Sequence, residues 1–315
     1  MDLDPLARRL IDASASPPFA HDLDPIDARQ ALRESQVDVL ADFPVDATFA
    51  VAPVGPSGLV AFWLVRPAWS VGPLPLVVYV HGGLWMVGDA HTHSRLMSDL
   101  VLGAGVAVVV PEYSRTPDAR YPVAIEQCFA LLTLAAGNAG ELGLDGMRLA
   151  VAGDGAGATI ATALTMLSLA RRGPAVRGQL LYYPLTDERC DSPSQHEFAE
   201  GHLLTRRTLQ RRWGLYAPST FARAQPTASP LAAGLHDLRG LPAALVITAE
   251  ADVSRDEGEQ YADNLRLAGV DVVSTRYLGT VHDFVSLHAL RDSPRTRAAV
   301  CQGVQFLRRI LGREP

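Results

Sequence analysis

The chain has 315 residues, with 28 Lys+Arg against 34 Asp+Glu and a formal net charge of −6. Its 48% hydrophobic content allows a large core, since a chain of about 300 residues buries roughly 75% of its unfolded surface. The acidic balance, with no Lys/Arg-rich run, excludes nucleic acid and anionic membrane as expected partners. Arg171–Arg172 and Arg206–Arg207 read as solvated helix faces. No apolar run approaches the ~20 residues that cross a bilayer. The charged start MDLDPLARRL has no apolar core of a signal peptide. Cys128, Cys190 and Cys301 are odd in number and widely spaced, which fits reduced thiols in a cytoplasmic protein and neither a metal site nor a disulfide framework.

Residues 1 to about 45 read as helical. Asp4-Pro5 and Asp24-Pro25 each open a segment, because proline after an acidic cap is a start signal. The stretch between them, SASPPFAHDL, reads as a loop. From Thr48 the period changes. TFAVAPV and GLVAFWLVRP read as strands around the turn GPSG. LPLVVYV (Leu74–Val80) and VAVVVP (Val106–Pro111) are continuous apolar runs, which suit strands covered on both faces of a parallel sheet. Helical patterns follow at about Thr92–Leu102 and Pro122–Ala136. Then come MRLAVAG as strand, Ala156–Arg171 as helix, and GQLLYYP, AALVITAE and VDVVSTRYL as strands. A last amphipathic helix runs from about Pro294 to Leu311. This alternation predicts a doubly wound α/β sheet. Thr186–Leu238 breaks it with Pro-rich loops and FAEGHLLTRRTLQRRWGLY, read as an amphipathic helix. It is expected to lie over the carboxyl edge of the sheet, where ligands bind.

Four segments converge in such a sheet. VYVHGGLWMVGD places His81, Gly82, Gly83 and Leu84 just after a strand, where glycines let backbone amides turn inward as an oxyanion hole. Gly153-Asp154-Gly155-Ala156-Gly157 joins a strand to a helix in the form of a nucleophile elbow, Gly-x-Ser-x-Gly, but Gly155 holds the serine's place. The helix then points its N-terminus, and the Ala156 N–H, at the ligand. Asp252 lies past the end of VITAEA, where the acid of a Ser…Asp…His order belongs. Asp256, Glu257 and Glu259 read as first-turn helix acids. His282, in YLGTVHDFVSL, follows a strand end and a glycine turn, and is the expected base. His91 and His93 have a metal pair's spacing without a third ligand, and read as a helix N-terminal region.

HGGLW, PEYSRTPDARYPVAIEQ, GDGAGA, LPAALVITAEADVSRDEGEQYA and GTVHDF together resemble the hormone-sensitive-lipase-like branch of the α/β-hydrolases, over nearly the whole chain. The resemblance implies an α/β-hydrolase fold: a mostly parallel eight-stranded sheet flanked by helices, with a helical cap. Residues 1–45 would be cap helices and residues 186–238 a cap insertion. Residues 46–185 and 239–315 would form the core of one composite domain. It implies ester hydrolysis through a serine acyl-enzyme without a cofactor or metal. Asp252 and His282 would be acid and base, and the amides of Gly83, Leu84 and Ala156 the oxyanion hole. Leu84 stands where the family has a third glycine, and must house a side chain.

Gly155 removes the acyl-enzyme route. Three readings follow. The scaffold acts by His282 general-base chemistry, either on a proton beside a carbonyl (lyase, isomerase or cyclase type) or on a water in place of the hydroxyl. Alternatively it is a carboxylesterase or acetyl hydrolase carrying Ser→Gly, or a ligand-binding receptor. The expected ligand is small, neutral and partly apolar; Trp85, Leu203, Leu204 and Trp213, with Phe198 and Tyr216, are candidates for lining its pocket, and for at least half of them the alternative role is packing the cap onto the sheet. The last helix is a candidate either for pairing two copies as a homodimer or for covering the sheet.

Overall fold

A computed structural model describes residues 1–15, 23–40 and 42–312; most of the SASPPFAHDL stretch lies outside the described residues. The first half runs α1 (Pro5–Ala13), α2 (Pro25–Ser35), β1 (Val45–Ala52), β2 (Val60–Pro67), β3 (Leu74–Val80), α3 (Ser94–Ala104), β4 (Ala107–Glu112), α4 (Val123–Gly137), β5 (Leu144–Asp154) and α5 (Ala156–Ala170). The second half runs β6 (Gly178–Tyr182), α6 (Pro193–Glu197), α7 (Arg206–Tyr216), α8 (Thr220–Arg223), α9 (Leu235–Leu238), β7 (Ala243–Ala251), α10 (Arg255–Leu267), β8 (Val272–Val281) and α11 (Pro294–Ile310).

Among the described residues the strands form one eight-stranded sheet in the order β1-β2-β4-β3-β5-β6-β7-β8. β2 runs antiparallel to both neighbours, β1 and β4, and every other pairing is parallel. This is the mostly parallel eight-stranded sheet that the motifs imply. All seven residues of β3 are buried, as a strand covered on both faces requires. β8, at the edge, alternates instead. α5 and α4 pack together on one face of the sheet's centre, while α3 and α11 pack against each other.

Two boundaries depart from the expected pattern. The long helix read across FAEGHLLTRRTLQRRWGLY is helical only from Arg206. Gly201 and Leu203 take left-handed backbone (φ +80° and +69°), and Thr205 then caps α7 by accepting the Thr208 N–H at 3.1 Å. β8 also continues past Gly279 to Val281 and so carries the chain directly to His282.

The N-terminal helices are fastened to the strand-end loops. Asp4 caps α1, and its carboxylate accepts from Ser293 Oγ and Arg295 Nη1, both at 2.8 Å; its own N–H donates to the Gly279 carbonyl at 2.8 Å. From α2, Arg29 donates to the carbonyls of Met86 and Thr116, each at 2.9 Å. Arg33 pairs with the buried Asp89 at 2.6 Å. No helix among the described residues is long and apolar enough to cross a membrane.

Candidate active site

β5 ends at Asp154 and α5 begins at Ala156, so Gly155 alone makes the turn. Its φ is +50° and ψ −120°, a conformation that side chains disfavour, and its N–H donates to the Tyr182 carbonyl at 3.0 Å. Two residues on, Gly157 lets the helix close on β3. A β-carbon there would overlap the Val80 carbonyl. A β-carbon on Gly155 would stand 3.3 Å from His282 Nε2.

His282 and Asp252, 30 residues apart, follow the adjacent parallel strands β8 and β7. The imidazole Nδ1 lies 2.7 Å from Asp252 Oδ2. The same carboxylate accepts the Ser254 N–H at 2.9 Å and its hydroxyl at 2.8 Å. Both groups are buried. Burial favours the neutral ring, but the charge of Asp252, and then that of Asp283, outweighs it and pushes His282 up to about 9. Asp283 is the neighbour the sequence reading missed: its carboxylate reaches within 3.7 Å of Nε2.

The loop after β3 is strained. Leu84 and Trp85 both take left-handed backbone, at φ +53° and +58°. Among the described residues, the N–H groups of Gly83, Leu84 and Ala156 have no protein acceptor. Asp154, next to the elbow, turns away from it and holds this loop. Its carboxylate accepts the Gly82 N–H at 3.0 Å and the Tyr79 hydroxyl at 2.5 Å, and faces His93 Nε2 at 3.3 Å. Burial alone would raise the Asp154 pKa, but His93 and these donors hold it below the usual carboxylate range. His93 is correspondingly raised by Asp154 against its own burial. His81, stacked on Tyr113, is pushed down to about 3 by burial and by His93. His93 thus braces the loop after β3 from the start of α3, a role beyond the helix N-terminus read from sequence. His91 pairs instead with Asp38 at 2.6 Å.

A cavity of about 770 Å³ opens over the dyad, a size suited to a small organic ligand. Gly83, Leu84, His282 and Asp283 form part of its wall, as do Leu203 and Leu204 of the insertion. Leu10, Ile11, Ala28 and Leu32 of α1 and α2 supply apolar wall that the sequence reading did not assign. Trp85 and Trp213 are a correction: neither lines the cavity. Both are buried, with Trp85 stacked on Tyr216 at 4.3 Å and set against Trp213 at 4.5 Å. Together they bind the insertion to the loop after β3, because flat rings bury most when stacked on one another.

Among the described residues, no side chain near the elbow is placed to replace a serine. Thr159 donates its hydroxyl to the Leu185 carbonyl at 2.6 Å, and burial pushes the Cys128 thiol well above its ordinary value. Asp256 and Glu259 are tied up by Ser194 N–H and Arg276. Glu257 is fully buried, accepts the Thr186 N–H at 2.8 Å and braces the insertion; burial pushes it up to about 8.

Comparison with known proteins bears on the family and the fold. A family model described as alpha/beta hydrolase fold matches residues 77–286. The putative alpha/beta hydrolase R526 of Acanthamoeba polyphaga mimivirus is 32% identical over 98% of this chain and 88% of its own. Carboxylesterase NlhH of Mycobacterium tuberculosis is 36% identical over 76% of this chain and 74% of its own. The crystal structure of a thermostable esterase from Pseudomonas putida ECU1011 superposes with a TM-score of 0.93 at 36% identity, covering 98% of each chain.

Proposed function

Because the chain belongs to the alpha/beta hydrolase fold family, we propose that it takes a small, partly apolar ester into the cavity and hydrolyses it with water directly, without an acyl-enzyme. A glycine at the elbow offers no hydroxyl to acylate. The amides of Gly83, Leu84 and Ala156 receive the ester carbonyl oxygen and stabilise the charge that builds on it. A water at the open elbow gives its proton to His282 Nε2 as its oxygen bonds to the carbonyl carbon. The imidazolium, held by Asp252, then returns that proton to the alkoxide as the C–O bond breaks, releasing acid and alcohol.

The observation that carries this reading is the spacing at the elbow. His282 Nε2 is 3.3 Å from where a β-carbon at position 155 would stand, while Nδ1 keeps its 2.7 Å bond to Asp252. A receptor has no use for a buried, oriented base. In a serine protease, oxyanion hole and binding alone retain roughly 10³–10⁴-fold over water, and a comparable slow turnover is expected here. The test is hydrolysis of p-nitrophenyl acetate and butyrate by the unaltered protein and by His282→Ala. The expected result is slow turnover without a burst or acyl adduct by mass spectrometry, reduced to background in the variant. Equal rates in the two proteins, or an acylated intact chain, would overturn it.

A further inference from the structure

The helix that borders the cavity, α7 (RRTLQRRWGLY), carries four arginines and no acid in a chain that is acidic overall. Their surroundings differ. Arg206 pairs with Asp191 at 2.9 Å and donates to the Cys190 carbonyl at 2.8 Å. Arg207 is exposed at the rim, and Arg211 is exposed as well. Arg212 is half-buried, lines the cavity and touches the Met86 thioether, three residues past Gly83. Among the described residues no carboxylate lies within 4 Å of it. The other charges on the wall are accounted for. His93 faces Asp154, His282 faces Asp252 and Asp283, and Glu200 is exposed at the outer edge.

A guanidinium drawn partly out of water without a counter-charge is costly, and its planar fork matches a carboxylate's two oxygens. Burial and the neighbouring Arg211 both weaken its hold on its proton. We infer that Arg212 is the specificity determinant of this cavity and that the ligand is an ester bearing a free carboxylate, which the guanidinium holds beside the oxyanion loop. This replaces the neutral ligand expected from sequence, and it rests on the reading of the cavity as an ester site.

Calorimetric binding to the unaltered protein separates the two ideas, because it needs no turnover. The probes are the monoethyl esters of succinate, glutarate and adipate, each against the isosteric ester whose acid is a neutral carboxamide. At least one half-ester is expected to bind tenfold or more tightly than its amide, with the advantage shrinking as salt rises. Arg212→Gln should erase that preference, Arg212→Lys should keep part of it, and Arg207→Gln should change little. Amides that bind as tightly as the acids, no binding by any half-ester, or a folded Arg212→Gln protein that keeps the preference would each overturn the inference. If Arg212→Gln does not fold, the acid–amide comparison and its salt dependence in the unaltered protein decide alone. Failure of the ester-hydrolysis reading shows separately, in the His282→Ala rate.

Discussion

Gly155→Ser is the most informative single change. The new residue inherits φ +50° and ψ −120°, a backbone state that costs an L side chain about 1–3 kcal/mol. Its β-carbon meets His282 Nε2 at 3.3 Å, so the ring must yield by a few tenths of an ångström. The hydroxyl then lies on the side of the ring that faces the elbow. The variant is therefore expected to be less stable by about 1–3 kcal/mol in urea titrations, and far more active. Loss of the nucleophile costs a serine protease a factor of about 2 × 10⁶, so about 10⁶ is the ceiling for its return. At 1.36 kcal/mol per decade this is about 8 kcal/mol of barrier. The assay is p-nitrophenyl acetate turnover with a pre-steady-state burst, backed by mass-spectrometric detection of the acyl adduct. A gain of at least about 10³ with a stoichiometric burst is expected. A folded variant with a gain below about tenfold would refute the claim that dyad, elbow and amides face one reacting carbon.

Three further substitutions and the pH dependence test the rest of the arrangement. Asp252→Asn should reduce the residual hydrolysis of the unaltered protein to the level of His282→Ala, since an amide facing Nδ1 fixes the wrong ring tautomer and removes the charge that holds the imidazolium; unchanged turnover would remove Asp252 from the mechanism. Turnover should rise with pH through about 9, because only the neutral ring of His282 accepts a proton; a rate–pH profile flat from neutrality upward would contradict this. The same raised pKa stabilises the fold fully below about 6.5 and ceases to do so as pH rises through about 9. Asp154→Asn leaves His93 buried without its anion and should cost about 3–5 kcal/mol, read as a lower urea midpoint. Glu257, raised to about 8, binds its proton more tightly when folded, so its contribution is greatest below the ordinary glutamate range and falls as pH rises through about 8. Glu257→Gln should flatten that slope in urea titrations compared at acidic and alkaline pH.

Much of the site was legible because it is local in sequence. β3 is apolar throughout because both its faces are covered. The elbow is five consecutive residues, and Asp252 and His282 each follow a strand end. What escaped sequence reading depends on groups that meet only in space. Asp154 binds Tyr79 and His93, 75 and 61 positions away along the chain, and no local pattern marks that triad. Arg29 and Arg33 look like ordinary helix-surface cations until they meet residues 86 and 89. The sequence leaves Trp85 and Trp213 open between packing and cavity wall because aromatic residues serve both, and only their contacts with Tyr216 and each other separate the two. The start of α7 was misplaced because left-handed turns at Gly201 and Leu203 interrupt a sequence whose composition still reads as helical.

The elbow does not depend on the residue at its tip. Its shape is imposed from both sides, by the Gly155 N–H bonded to Tyr182 and by Gly157 pressed against the Val80 carbonyl. Glycine at position 155 therefore relieves strain without altering the turn. The loop after β3 keeps its own strain at Leu84 and Trp85, and separate anchors hold it there: Asp154 on Gly82, Arg29 on the Met86 carbonyl, and the Thr116 N–H on the Trp85 carbonyl at 2.8 Å. None of these anchors passes through residue 155. The amides and the His282–Asp252 pair are thus preorganised independently of a nucleophile. Chemistry at this site is then decided by what occupies the space between ring and amides: on the reading proposed above, a water oxygen in the present chain, and a hydroxyl in Gly155→Ser.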